Sequence, residues 1–287
     1  MRIPRVAILP SLCTLGNALC GFAAITMVAR ALLVTDEFHN IGPRDVRWAG
    51  YFVILAMLFD ALDGRLARFA RATTDFGGQL DSVADLVSFG VAPAFLMNRV
   101  VVESLRNVVP AGFAGILRVV WICAAVYLGC ALIRLARFNV ENVHEEEAHL
   151  SFKGLPSPAA AGALVSLIIV LADLLEEGDH AWAASVMLWV LPVVAALLGL
   201  LMVSKVRYSH VLNQFMRGRK PVGHLVLLFL GIGLMVALKE TGLVLGFGGY
   251  AISGPVVAAW RRFRPAPVTT VALPPGPDDS PDDSDNI

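Results

Sequence analysis

The chain has few charged residues for its length. Only 16% of its 287 residues are Asp, Glu, Lys or Arg, whereas a soluble domain averages about 25%. The charges cancel to a formal net charge of zero, so no basic excess points to a nucleic-acid partner, and none is expected. Apolar residues make up 57% of the chain, with a mean hydropathy of +0.70. This composition argues against a soluble enzyme and predicts an all-α, polytopic membrane protein formed by one helical bundle.

Cysteine is also scarce. The four cysteines are Cys13, Cys20, Cys123 and Cys130. All of them lie in apolar segments, and none belongs to a Cys-x-x-Cys pair, so the sequence predicts neither a disulfide framework nor a zinc site. We interpret them as small residues that fill space between helices.

Eight apolar segments are long enough, or nearly so, to cross a bilayer, which takes about 20 residues. They cover roughly residues 11–34, 48–71, 78–101, 113–138, 156–175, 181–203, 222–239 and 241–260. The first segment is too long for the core of a cleaved signal peptide, so we interpret it as a retained span. We expect turns at residues 71–78 and 239–242, because these stretches are polar or rich in glycine.

The distribution of positive charge predicts the orientation. With eight spans and the N-terminus in the cytoplasm, most of the 23 Lys and Arg residues face the cytoplasm, as the positive-inside rule requires. Both termini are then cytoplasmic in a multi-pass protein of the cell membrane. Residues 1–264 form the membrane domain, and the Pro- and Asp-rich residues 265–287 are predicted to be a disordered cytoplasmic tail.

Four aspartates interrupt the second and third apolar segments. They are Asp60, Asp63, Asp81 and Asp85, in the pattern D-x2-D-G-x2-A-R-x8-G-x3-D-x3-D. The first pair is spaced i,i+3 and the second i,i+4, so each pair shares one helix face. A helical hairpin would bring the two pairs together at the cytoplasmic ends of their spans. Ionised carboxylates inside a membrane are costly, so they usually mark an ion or substrate site.

Divalent metal is the counter-charge that suits such a cluster. Mg²⁺ is bound by a few carboxylates together with substrate phosphate, and two metals about 4 Å apart can assist an in-line displacement at phosphorus. Gly64 and Ala67 leave a shallow slot beside the carboxylates for a base or sugar, and Arg68 offers a planar fork for phosphate oxygens. The four aspartates could instead form a proton or cation relay, or could be acidic residues at the membrane interface without a site. Neither alternative needs the Gly-x2-Ala-Arg element.

Residues 60–85 resemble the signature of the CDP-alcohol phosphotransferases at every fixed position. The resemblance implies a membrane helical bundle that joins an alcohol to the phosphate of a CDP-activated lipid or alcohol and expels CMP. It further implies two divalent ions, Mg²⁺ or Mn²⁺, and leaves a homodimer open. The resemblance implies metal binding for Asp60, Asp63, Asp81 and Asp85, with Asp85 also acting as the general base. It implies nucleotide binding for Asp60, Gly64, Ala67, Arg68 and Gly77. Thr14 and Asn17 are expected at the edge of the nucleotide site.

Three further stretches, residues 81–93, 134–139 and 152–161, resemble the phosphatidylserine synthase branch of that family. This implies CDP-diacylglycerol and L-serine as substrates, taken from membrane lipid and cytosol. Arg134 or Arg137, with Lys153, is then available for the serine carboxylate, although topology alone also predicts cations at these helix ends. Two other functions remain open. One is a sibling enzyme that uses glycerol 3-phosphate or inositol phosphate, and the other is an intramembrane cation transporter.

Overall fold

In a computed structural model of the protein, the described residues are 8–30, 42–70, 75–106, 115–144, 154–177, 180–206, 208 and 239–263. They form helices and short connections, with no strand in any of these ranges, which confirms the all-α prediction. The helices are α1 Ile8–Arg30, α2 Pro43–Ala70, α3 Asp75–Asp85, α4 Ala92–Arg106, α5 Gly115–His144, α6 Ser157–Glu177, α7 Ala181–Val203, α8 Lys239–Leu243 and α9 Gly249–Phe263. Two π-helical segments, π1 Leu86–Val91 and π2 Val244–Gly248, join α3 to α4 and α8 to α9.

Six helical units in the described part are long and apolar enough to cross a membrane. They are α1, α3 with α4, α5, α6, α7, and α8 with α9. The protein is therefore an integral membrane protein. Helix α2 is long but is not among the six, because charged residues lie at both ends of its apolar middle, with Arg47 on one side and Asp60 and Asp63 on the other. Only the last residue of the expected span at 222–239 is described, and the tail at 265–287 lies outside the described residues. The total of eight spans therefore stays a prediction.

Both predicted turns are wrong where the structure describes them. Helix α3 already begins at Asp75, so Gly77 and Gly78 are helical rather than part of a turn. Likewise, residues 239–242 form the first turn of α8. Glycine disfavours a helix by only about 1 kcal/mol per residue, and contacts elsewhere in the fold outweigh that preference. At α8 one such contact is the Tyr51 hydroxyl, which donates a hydrogen bond of 3.2 Å to Glu240 Oε1.

Helices α1, α2 and α3 meet at one corner of the bundle. Helix α1 lies along α2 and crosses π1 at Gly21, where an added Cβ would be only 2.8 Å from Ser88 Cα. Ser88 Oγ uses this close approach to donate a 2.8 Å hydrogen bond to the carbonyl oxygen of Asn17. The absence of a side chain at Gly21 therefore allows α1 to lie directly against π1.

A charged group holds the opposite end of α2. Arg47 donates a 2.8 Å hydrogen bond to Asp173 Oδ1 and also pairs with Glu176, both near the end of α6. Asp60 lies 13 positions after Arg47, which corresponds to about 20 Å along a helix. The ion pairs at this end are therefore remote from the carboxylates at the other end.

Candidate active site

Three aspartate side chains converge between α2 and α3. One carboxylate oxygen from each of Asp60, Asp63 and Asp81 lies within 4.8 Å of the other two. Asp63 is 5% exposed, and its Oδ2 has no hydrogen-bond partner among the described residues; the buried Oδ1 of Asp81 also lacks one there. Buried carboxylate oxygens without donors are unfavourable. Because a hard divalent cation takes oxygen ligands, these three residues fit a metal site.

The fourth aspartate, Asp85, ends α3 beside this cluster. Its Oδ1 accepts a 3.0 Å hydrogen bond from Nδ2 of Asn17. It is not one of the three residues whose oxygens converge, but Asp60 and Asp81 lie close enough to act on it electrostatically. Three of the carboxylates therefore converge, and the fourth, Asp85, lies beside them and is hydrogen-bonded to Asn17.

Helix α1 contributes two buried polar side chains to the site. Asn17 is fully buried, and its Oδ1 has no partner among the described residues. Thr14, one turn earlier and 5% exposed, hydrogen-bonds with Asp63. The sequence placed both residues at the nucleotide edge, but it did not indicate their bonds to aspartates. These partners are dozens of residues apart in the chain, so no local spacing could reveal them.

The π-helical segment π1 follows Asp85 directly. At its end the backbone N–H of Ala92, the first residue of α4, donates to the carbonyl oxygen of Val87, one residue further back than in an α-helix. The carbonyl oxygen of Phe89 accepts a 3.0 Å hydrogen bond from the buried Tyr127 hydroxyl of α5. Short π segments are frequent at functional sites because they redirect the side chains around them. Here the segment separates the polar end of α3 from the apolar α4.

The residues expected to bind nucleotide lie at the facing ends of α2 and α3. Gly64 has open space beside it among the described residues, since an added Cβ would meet none of their atoms within 4 Å. The nucleotide slot expected next to the carboxylates stays a prediction. Gly77 lies in the first turn of α3. Ala67 and Arg68 lie in the last turns of α2, but their side chains are outside what the structure describes, so their roles stay predictions.

Helix α5 runs antiparallel to α3, and Arg134 lies at the same level along the bundle as Asp85. Tyr127 contacts Phe89 at one level, and the Oδ1 of Asn139 accepts a 2.9 Å hydrogen bond from Ser82 at the other. Arg134 lies between these contacts on α5, as Asp85 lies between them on the facing segment. The two charged groups interact electrostatically.

The three cations expected near serine differ in what the structure describes. The Nε of Arg134 donates a 2.8 Å hydrogen bond to the carbonyl oxygen of Leu155, which orients its guanidinium. Arg137 lies one turn further along α5 and is partly buried. Lys153 is outside the described residues. All three cations stay predictions for the serine site, and of the two described arginines Arg134 has an electrostatic interaction with Asp85.

Together these features define a class of protein: a membrane-embedded helical bundle with an acidic site that fits metal at one end. The sequence model of the CDP-alcohol phosphatidyltransferase family matches residues 7–198. The chain belongs to this family. The match includes α1 to α6 and most of α7, and therefore every element of the carboxylate site.

Several similar proteins carry the name CDP-diacylglycerol–serine O-phosphatidyltransferase. The one from Bacillus subtilis is 34% identical over 202 residues, which are 70% of this chain and 90% of that protein. The one from Helicobacter pylori is 32% identical over 206 residues, 72% of this chain and 77% of the relative. The one from Methanocaldococcus jannaschii is 33% identical over 162 residues, 56% of this chain and 64% of the relative. No solved structure matches the chain significantly.

Proposed function

We propose that the protein transfers the phosphatidyl group of CDP-diacylglycerol to the hydroxyl of L-serine and releases CMP. The observation that carries the proposal is the convergence of Asp60, Asp63 and Asp81 beside Asp85 in a member of this family. The names of the relatives favour serine as the acceptor. Arg134 at the depth of Asp85 provides a cation that a serine carboxylate requires.

In this proposal Asp60, Asp63 and Asp81 hold divalent metal, with Asp85 as a further ligand. Two ions, Mg²⁺ or Mn²⁺, would fit the oxygen donors, and their charge would neutralise the pyrophosphate and the departing CMP. The unpartnered oxygens of Asp63 and Asp81 support this assignment, because each is buried with no donor among the described residues.

The nucleotide then occupies the slot between the facing ends of α2 and α3. Gly64 leaves the space, and Ala67, Gly77 and Arg68 are expected to contact cytidine, backbone and pyrophosphate respectively. Thr14 and Asn17 close the slot from α1, where the unpartnered Oδ1 of Asn17 is available to accept a hydrogen bond. The two acyl chains remain among the helices, in contact with membrane lipid.

Asp85 acts as the general base. Its carboxylate takes the proton of the serine hydroxyl, provided that this oxygen lies within hydrogen-bonding reach. The serine oxygen forms a bond to the lipid-side phosphorus. The bond from that phosphorus to the bridging oxygen breaks, and CMP leaves with the electron pair. Correct positioning of these groups supplies most of the acceleration in phosphoryl transfer.

The site is proposed to face the cytoplasm, where serine and CMP exchange with solvent. Arg134 binds the serine carboxylate, while Arg137 and Lys153 add positive charge at the same helix end. The proposed site is assembled from α1, α2, α3 and α5 of one chain and needs no residue of a second one. A homodimer would therefore carry one such site in each chain.

An acceptor screen tests the proposal. Purified protein in lipid nanodiscs is given CDP-diacylglycerol and Mg²⁺ or Mn²⁺, and CMP release is compared for serine, glycerol 3-phosphate and inositol phosphate. Serine-dependent CMP release with formation of phosphatidylserine is expected. Release that depends on a phosphorylated acceptor instead would identify a sibling enzyme. Cation flux in sealed vesicles, with no CMP release from any acceptor, would identify a transporter.

A further inference from the structure

The last helical unit, α8 with α9, lies beyond the residues that match the family. Its residue Tyr250 packs against a residue of another segment, Tyr208. The ring of Tyr250 lies 5.7 Å from that of Tyr208, between centroids, and the hydroxyl of Tyr208 donates a 2.9 Å hydrogen bond to the carbonyl oxygen of Ala251. Gly254 faces the same ring and leaves no room for a side chain. The start of α9 is therefore held firmly on Tyr208.

The segment that precedes Tyr208 also holds the carbonyl group that orients Arg134. The N–H of Gly154 donates to the carbonyl oxygen of Val206 at 2.8 Å, and the N–H of Leu155 donates to that of Leu201 at 3.0 Å. Gly154 has a φ of 92°, a conformation that favours glycine. The carbonyl oxygen of Leu155 in turn accepts the bond from Arg134 Nε. One stretch of backbone thus positions both Arg134 and the start of α9.

This connection brings two polar groups from distant parts of the chain together. The phenol of Tyr250 and the guanidinium of Arg134 lie close enough to interact electrostatically, and Arg134 also interacts with Asp85. Tyr250 is partly buried. A phenol hydroxyl is a hydrogen-bond donor that adds no charge. Its position suits an anionic group that is already bound by the arginine.

We propose that Tyr250 is a serine-specificity residue whose hydroxyl donates a hydrogen bond to the carboxylate bound by Arg134. The proposal rests on the proposed function, and it adds α9 to the acceptor site. The Nε of Arg134 is already occupied by the Leu155 carbonyl oxygen, so only its terminal nitrogens are left for the carboxylate. A bidentate pair with these nitrogens uses only two of the roughly four lone-pair sites of a carboxylate, and Tyr250 supplies a further donor.

The test is Tyr250→Phe, which removes the hydroxyl and keeps the ring against Tyr208. The KM for serine is expected to rise about tenfold, the effect of one hydrogen bond to a charged group, while kcat and the KM for CDP-diacylglycerol stay the same. Tyr51→Phe is the matched control, because its hydroxyl bonds to Glu240 of α8 near the end of α2 that is remote from the carboxylates, and its KM for serine should not change. An unchanged KM in Tyr250→Phe, or an equal rise in both variants, would overturn the proposal.

A double-mutant cycle with Arg134→Gln separates a shared ligand from two independent effects. If both side chains bind one carboxylate, the effects of the two substitutions on the KM for serine will not add. Additive effects count against the proposal.

The acceptor screen with the wild type tests the serine function separately from the role of Tyr250. If the wild type uses glycerol 3-phosphate or inositol phosphate, the serine assignment fails. The Tyr250→Phe comparison is then made with that anionic acceptor. A raised KM supports an anion-binding role for Tyr250, and an unchanged KM overturns it.

Discussion

Asn17 Nδ2 donates a 3.0 Å hydrogen bond to Asp85 Oδ1 and thereby joins the first helix to the end of α3. The carbonyl oxygen of Asn17 accepts a second bond, from Ser88 Oγ in π1. A buried amide that is fixed at both its side chain and its backbone limits the rotation of the carboxylate it contacts. The general base of the proposed reaction is therefore oriented by a residue of another helix.

Replacing Asn17 with Ala is expected to lower kcat about tenfold or more, because Asp85 loses the donor that orients it and correct positioning dominates this chemistry. The measurement is the rate of serine-dependent CMP release at saturating substrates. Asn98→Ala is a suitable control, since it removes an amide from α4, 13 residues from Asp85 and about 20 Å along the helix. Equal losses in the two variants would show that the effect is on folding rather than on Asp85.

Asp85→Asn should abolish turnover and leave binding of CDP-diacylglycerol largely intact. The substitution keeps the shape of the side chain but removes the group that accepts the serine proton. Turnover is followed by CMP release, and binding by titration of the purified protein with the CDP-lipid. Loss of binding in parallel with turnover would show that Asp85 also holds the nucleotide lipid and is not only a base.

Asp60→Asn and Asp81→Asn should each weaken divalent metal binding, because each removes one anionic oxygen donor from the cluster. Calorimetric titration of Mn²⁺ and Mg²⁺ measures this directly and does not depend on activity. In the wild type, metal should also raise the Tm, since a ligand that binds the folded state stabilises it. Titration curves that match the wild type in both variants would count against the ligand assignment.

The sequence predicted the parts of this site that depend on local geometry. Helical periodicity places Asp60 and Asp63 on one face, and the structure brings them together with Asp81 as expected. A slot beside Gly64 was expected on the same ground of residue size, and it stays a prediction. These inferences need only helical spacing and residue size.

Contacts between distant segments could not be predicted in this way. The bond from Asn17 to Asp85 depends on how α1 crosses α3, and the bond from Arg134 to the carbonyl oxygen of Leu155 depends on a segment that is paired with residues 201 and 206. The π geometry after Asp85 has no local sequence signal either. The misplaced turn at Gly77 and Gly78 has the opposite cause: a local preference was given too much weight against the packing of a long helix.

The close crossing of α1 over π1 gives a prediction with a matched control. In Gly21→Ala, the new methyl group would lie 2.5 Å from Ser88 Oγ and 2.8 Å from Ser88 Cα, so α1 must move away from π1. We expect the Asn17–Ser88 hydrogen bond to break, the Tm to fall and kcat to fall with it. Gly129→Ala makes the same substitution in α5, where no atom of the described residues lies within 4 Å of the added atom, so helix propensity alone should leave stability equal or slightly higher. If thermal unfolding and CMP release show both variants to be alike, the proximity of Gly21 to Ser88 does not position Asp85.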